Sequence, residues 1–298
     1  MIKEIRYVIT VVMMLGSGFL LARFPTATAR LTDDFQEREE INRKYQLAPA
    51  ASVQVSGIRG PVEIFNTDTT TAEVQVIRTA RTRADLEYHK VEVEQLGNSV
   101  VVRGVQEPQA SRGQNVQVNH HVIIKVPRRV NLAVTSVSGW LRVADTDGQT
   151  KVNSISGSAI FGNVGGSLQV RSISGDFQVG SVGADALVTS VSGDVRVGQL
   201  NGSLDVSSVS GSVKATVDRL DTGGIHIKSV SGSVEIGFKG EVNADFNAEG
   251  FSGRVYLEIP GVSKESEVKS SQVRARIGVG GSPIMITGVS GNIRLTRS

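Results

Sequence analysis

Two adjacent stretches decide the fold: SISGSAIFGNVGGSLQVR (154–171) and SISGDFQVGSVGADALVT (172–189). They begin with the same signature and match position for position. The row before them, SVSGWLRVADTDGQTKVN (136–153), and the row after, SVSGDVRVGQLNGSLDVS (190–207), extend the pattern. Gly139, Gly157, Gly175, Gly193 and Gly211 each lie 18 residues apart, Gly232 and Gly253 follow at intervals of 21, and Gly291 comes 38 later. That last gap reads as two rows with one signature worn away around Gly278 to Ser282. A sustained period of this size marks a repeat architecture.

Within a row the apolar residues are spaced by two, as in Leu168 and Val170 or Val195 and Val197. This is the period of a strand with one face buried, and the three- and four-residue spacing of an amphipathic helix is absent. Three columns recur from row to row: Val137, Ile155, Ile173, Val191, Val209 and Val230; Val143, Phe161, Val179, Val197 and Ile236; and Val152, Val170, Val188 and Val206. Strands that repeat with like stacked on like describe an all-β, single-stranded β-helix or solenoid, with coils of about 18–21 residues that complete one another's core. All three columns are read as inward, so Val191→Asp is expected to place a charge in the core.

The architecture accounts for an unusual composition. The chain has 33 Gly among 298 residues with only 7 Pro and no Cys. Collagen, disulfide scaffolds, zinc ribbons and thiol nucleophiles are thereby excluded. Glycine at a fixed place in every coil supplies the positive φ of a sharp corner. A second glycine column (Gly148, Gly166, Gly202) falls nine residues after the first, so a coil is two similar halves. The flanking serines are read as corner hydrogen-bonders or an inter-coil ladder.

The rows S-[VI]-S-G-x-[VLF]-x-V, preceded by Val122-Ile-Ile-Lys-Val-Pro127 and Val130-Asn-Leu-Ala-Val134, resemble the bacterial putative-adhesin family with a DUF4097-type domain. The resemblance runs from about Val53 to the C-terminus and is most specific over 122–295. It implies a β-helical envelope or surface domain, often behind a signal peptide or anchor. The family's molecular function is generally unassigned.

Residues 1–29 read as a signal peptide: Lys3 and Arg6, an apolar run from Tyr7 to Ala22, then Ala27-Thr28-Ala29 as a small-x-small cleavage site. The alternative is an uncleaved anchor through residues 7–22, whose 16 residues fall short of a full span. Cleavage would lower the net charge from +3 to near +1, leaving no surplus for a polyanion. Without Cys no lipoprotein can form. Residues 30–50 are a charged arm: charges at i,i+4 spacing are compatible with a short helix over Thr32 to Leu47, and a solvated arm is the plainer reading. Residues 51–130 form an irregular β region that caps the solenoid and contains a hairpin around Gly97-Asn98. Residues 106–115 are a polar loop, and 131–298 hold the repeats, with Asn292 to Ser298 expected to blunt the last edge.

Catalytic signals are sparse. The column after the corner glycine runs Trp140, Ser158, Asp176, Asp194, Ser212, Ser233. Asp176 and Asp194 stacked at about 4.8 Å are the one candidate carboxylate pair, able in principle to share a proton or a cation; solvated turn residues are the plainer reading. His120 and His121 are adjacent on a strand and point apart, and His89 and His226 are isolated. No phosphate loop, basic nucleic-acid face, cofactor or metal signature occurs. Trp140 is the one outward aromatic in a repeat column, a candidate for sugar stacking, partner contact or packing on the cap. The sequence therefore points to a non-enzymatic, exported interaction scaffold in the periplasm, at the surface or on the inner membrane's outer face, with an envelope protein or glycan as partner. A carbohydrate-active solenoid enzyme and an accessory of envelope-stress signalling are the alternatives.

Overall fold

The computed structural model describes residues 37–106, 117–262, 267–269, 271–288 and 290–298. The leader or anchor over 1–29, the first part of the arm and nearly all of the polar loop lie outside them.

In the central rows, β8 (Asn131–Ser138), β10 (Thr150–Ser156), β12 (Leu168–Ser174) and β14 (Ala186–Ser192) pair in parallel, each with the strand one coil on. Val134, Val152, Val170 and Val188 thus form one in-register, buried column. Past the corner, β9 (Leu141–Val143), β11 (Ala159–Val164) and β13 (Phe177–Val182) build the facing wall, with Val143, Phe161 and Val179 as its column. β15 (Val195–Ser210) and β16 (Val213–Ser231) run through the second corner and contribute to both walls. The fold is a β-solenoid whose core is two sets of stacked valine, isoleucine, leucine and phenylalanine side chains. The rings of Phe161 and Phe177 lie 5.3 Å apart on successive coils.

The corner glycines are required twice over. From Gly139 to Gly232 their φ angles are 100° to 126°, a region L side chains rarely adopt. A Cβ on Gly193 would also overlap the carbonyl oxygen of Gly175 in the coil beside it. The serine three positions before the glycine secures the same turn: Ser190 Oγ donates to the Ser192 carbonyl at 3.2 Å, and Ser136, Ser154, Ser172, Ser208 and Ser229 repeat the contact.

One column expected inside lies outside. Ile155, Ile173, Val191, Val209 and Val230 are 51%, 54%, 48%, 50% and 63% exposed, while Val137 is half-buried. Parity explains the correction. Val188 faces the core, so Ser190 also faces it and Val191, three positions from Val188, must face away. Ser136, Ser190, Ser208 and Ser229 are the buried residues at this corner.

Stack order departs from chain order at both ends. β2 (Ser52–Arg59) and β3 (Val62–Asn66) form a row beside β8 and β9, and β6 (Ser99–Gln106) and β7 (Val118–Val126) stack outside it. β17 (Val234–Phe238) pairs with β23 (Ile293–Arg297), which in turn pairs with β19 (Val255–Glu258). β22 (Ser282–Thr287) is likewise inserted between β16 and β18 (Ala244–Glu249). The final residues are therefore interior to the sheet and do not blunt its edge. That position is taken by β19 and by β20 (Glu267–Lys269) and β21 (Gln272–Ile277), with β21 antiparallel to β18.

At the other end the helix compatible with the charges of Thr32 to Leu47 is replaced by β1 (Glu37–Gln46), antiparallel to β4 (Thr71–Ala80). Its alternating charges suit an edge strand, because Glu, Arg and Lys discourage a further chain from pairing there. The hairpin is present, joining β5 (His89–Leu96) to β6 through Gly97 at φ 60°. The one helix among the described residues, α1 (Arg83–Tyr88), was not foreseen. Its signal was Thr82-Arg83-Ala84-Asp85: Thr82 and Asp85 exchange side-chain to backbone bonds of 3.2 Å as a capping box.

The two faces of one strand give opposite outcomes on substitution. Val188→Asp buries an unpaired carboxylate and costs several kcal/mol, enough to unfold the central coils. Val191→Asp changes stability by about 0.5 kcal/mol or less. Thermal melting by circular dichroism checks both, and equal destabilisation by the two would reverse the facing assigned here.

Candidate functional site

The corner acids hold coils together. Asp176 Oδ1 accepts the Asp194 N–H at 3.0 Å, and Asp194 Oδ1 accepts the Ser212 N–H at 3.0 Å. Asp194 also pairs with Arg196 at 2.6 Å. The second corner uses the same device: Asp145 accepts the Asn163 N–H at 2.8 Å, and Asp185 accepts both the N–H and hydroxyl of Ser203. Those bonds, the hydroxyl's first, hold the Asp185 carboxyl below its ordinary pKa. A corner breaks the strand ladder and leaves an N–H without a backbone acceptor; the acid of the neighbouring coil supplies one. Asn292 does the same for Arg254 at 3.1 Å, so the role requires an oxygen and not a charge.

Trp140 has a different setting. It ends the turn into β9, is 43% exposed, and stands where other coils carry Ser, Asp, Arg254 or Asn292. The Arg142 guanidinium lies 5.7 Å from its ring centroid, a cation–π contact, and the His121 ring meets it edge-on at 6.4 Å. His121 Nε2 is 2.8 Å from Glu63 Oε1. Three strands bring these groups together: β7 carries His121, β3 carries Glu63, and β9 carries Arg142 beside Glu63 in register. The result is an exposed aromatic face with a carboxylate, an imidazole and a guanidinium within reach. Spacing alone could not reveal it, because Glu63 and His121 are 58 residues apart and meet only through the interleaved rows.

The other histidines lie elsewhere. His120 is buried beneath the cap, where burial first and Arg78 second push its pKa down to about 4. Arg78 itself is buried, bonded to the Leu86 and His89 carbonyls at 2.8 and 2.9 Å and paired with Glu39. His226 lies 3.3 Å from Asp205 on the outer face of the solenoid. Among the described residues no group of three His, Asp or Glu is placed to hold a metal ion. A groove of about 430 Å³ opens near the N-terminal end, walled by Leu47, Pro49, Pro127 and Val130, with Arg129 and Asp147 among its lining.

The corner bonds predict an asymmetric response at Asp194. Asp194→Ala removes the acceptor and lowers stability by about 1–2 kcal/mol, while Asp194→Asn retains it and stays within about 0.5 kcal/mol of the parent. Denaturant unfolding distinguishes the two, and an Asn variant as unstable as the Ala variant would refute the acceptor role.

A family model described as Toastrack DUF4097 matches residues 51–296. Among solved structures, a "putative adhesin" from Bacteroides fragilis aligns with 86% of this chain and 97% of its own, at 12% identity and a TM-score of 0.52. A "putative adhesin" from Parabacteroides merdae aligns with 86% of this chain and 96% of its own, at 10% identity and a TM-score of 0.31. No curated protein matches. The first of these likenesses supports the solenoid architecture and no more. The match over both walls, both corners and the interleaved ends places the chain in the Toastrack DUF4097 family.

Proposed function

We propose that the protein is a non-enzymatic interaction scaffold of the cell envelope, led out of the cytoplasm by residues 1–29 and held at the periplasmic or outer surface, with residues 7–22 as its tether if they are retained. The observation that carries this reading is the Trp140 patch. A half-exposed indole offers a large, rigid contact surface, and tryptophan is enriched where proteins meet partners. The indole offers a flat apolar face to the C–H surface of a sugar ring, while Glu63, His121 and Arg142 offer donors and acceptors for its hydroxyls. An envelope glycan is therefore the ligand class this patch suits. Asp176 and Asp194 each accept a backbone N–H of the next coil on an exposed corner, a structural use that supports the scaffold reading over the carbohydrate-active enzyme.

Trp140 is the only tryptophan in the chain, so its emission reports on this patch alone. Titrating the protein with soluble envelope glycan fragments should give a saturable quench or shift. Arg142→Ala or Glu63→Gln should weaken that response about tenfold, equivalent to ~1.4 kcal/mol. Absence of any saturable change, together with unaltered retention of Trp140→Ala on envelope glycan, would overturn the reading.

A further inference from the structure

The exposed aliphatic column calls for an occupant of its own. Ile155, Ile173, Val191, Val209 and Val230 follow one another on five successive coils, since the serines on either side of them pair in register from Ser154 and Ser172 through Ser208 and Ser229. Adjacent members are about 4.8 Å apart, so the ridge is about 19 Å long. Soluble surfaces scatter single apolar residues; a contiguous β-branched ridge of this kind marks a contact. Alongside it runs a groove of about 470 Å³, lined by Val191, Val209 and Val230 and by the serines that precede them.

The two flanks of the ridge differ in charge. Two residues before each member, the column reads Asn153, Arg171, Thr189, Ser207, Lys228; three residues after, beyond the corner glycine, it reads Ser158, Asp176, Asp194, Ser212, Ser233. One flank is basic and the other acidic. Among the described residues neither Arg171 nor Lys228 makes an ion pair, and Asp176 Oδ2 takes no hydrogen bond.

We propose that this ridge is the interface of a parallel homodimer, in which a second copy of the chain packs ridge on ridge about a two-fold axis running along the coil stack. That axis brings Arg171 to the partner's Asp176 at the same coil height, twice per dimer, and sets Lys228 and Asp194 against the uncharged Ser233 and Thr189. An axis running along the strands through Val191 would instead set Asp194 against its own copy, a like-charge contact that costs energy. The repeat distance argues for the same occupant. A ridge with one side chain every 4.8 Å is matched along its length by another ridge of equal period, which a second copy supplies. The parallel arrangement keeps the N-terminal caps of both copies at one end. This inference uses none of the Trp140 patch's polar residues, although Trp140 stands in the same post-corner column as Asp176 and Asp194, two and three coils away from them.

The chain has no cysteine, so single substitutions report the contact without background. Full-length Val191→Cys and Ile173→Cys, produced in intact cells and treated with copper phenanthroline or a short bismaleimide, should be recovered mostly as crosslinked dimers of the chain. Gln178→Cys on the other wall and Val279→Cys, exposed near the C-terminal end, should remain monomeric. In the purified chain, Arg171→Asp should weaken association about tenfold, as should Asp176→Arg, and the combined variant should restore it. All of these positions are exposed, and melting curves matching the parent will confirm that the variants fold. Val191→Cys that crosslinks no better than Val279→Cys, crosslinks to a different protein, or a charge exchange that fails to restore association would each overturn the proposal.

Discussion

The constraint on which the rest depends is the stacking of one corner on the next. At each corner the backbone passes so close to the neighbouring coil that the carbonyl of one glycine occupies the space where the next would carry a Cβ. Coils can approach at strand-pairing distance all round only if that position is glycine. Once they do, every strand of the central coils finds a parallel partner, the backbone groups are satisfied between coils, and like side chains lie on like. The corner acids follow from the same approach, because each accepts an N–H that the turn would otherwise leave without a partner, while the serine hydroxyls add a second donor to corner carbonyls already bonded between coils. With no disulfide to restrain it, the exported chain envisaged here draws its stability from this repetition.

Much of this was legible in the sequence, because a repeat turns a long-range fact into a local one. The period of 18 gives the partner of every residue in the central rows, and the spacing of two gives the strands. The inward columns through Val152 and Phe161 follow directly. The column through Val191 was misassigned because it is apolar, although an odd step from Val188 puts it on the other face. Composition suggested burial, and parity decided otherwise. Buried serine and exposed isoleucine at one corner are explained by the turn, where an inward hydroxyl can close on a carbonyl two residues away and an aliphatic chain cannot.

The ends were less legible for a physical reason. Periodicity tells which rows resemble each other but not the order in which they stack. Gly291 lies against Gly232, and Gly253 lies against Gly291, so the last row in the chain is not the last in the stack. Near the N-terminus the β2–β3 row lies inside the β6–β7 row, and this inversion is what brings Glu63 to His121 beneath Trp140. The aromatic member of that patch was visible from its column, whereas its polar members required the row order. Likewise Glu39 to Arg43 satisfied the helical spacing of charges, but the pairing of β1 with β4 prevailed over that weak local preference.

Stacking register, and not position along the chain, therefore arranges this molecule, and the C-terminal rows test that claim most directly. Glu235 is the register neighbour of Arg294, and Arg294 that of Tyr256, which leaves Glu235 and Tyr256 two strands apart. Paired cysteines at 235 and 294 should form an intramolecular disulfide under mild oxidation, while paired cysteines at 235 and 256 should not. A bridge between 235 and 256, with none between 235 and 294, would mean that the rows stack in chain order and would contradict the account.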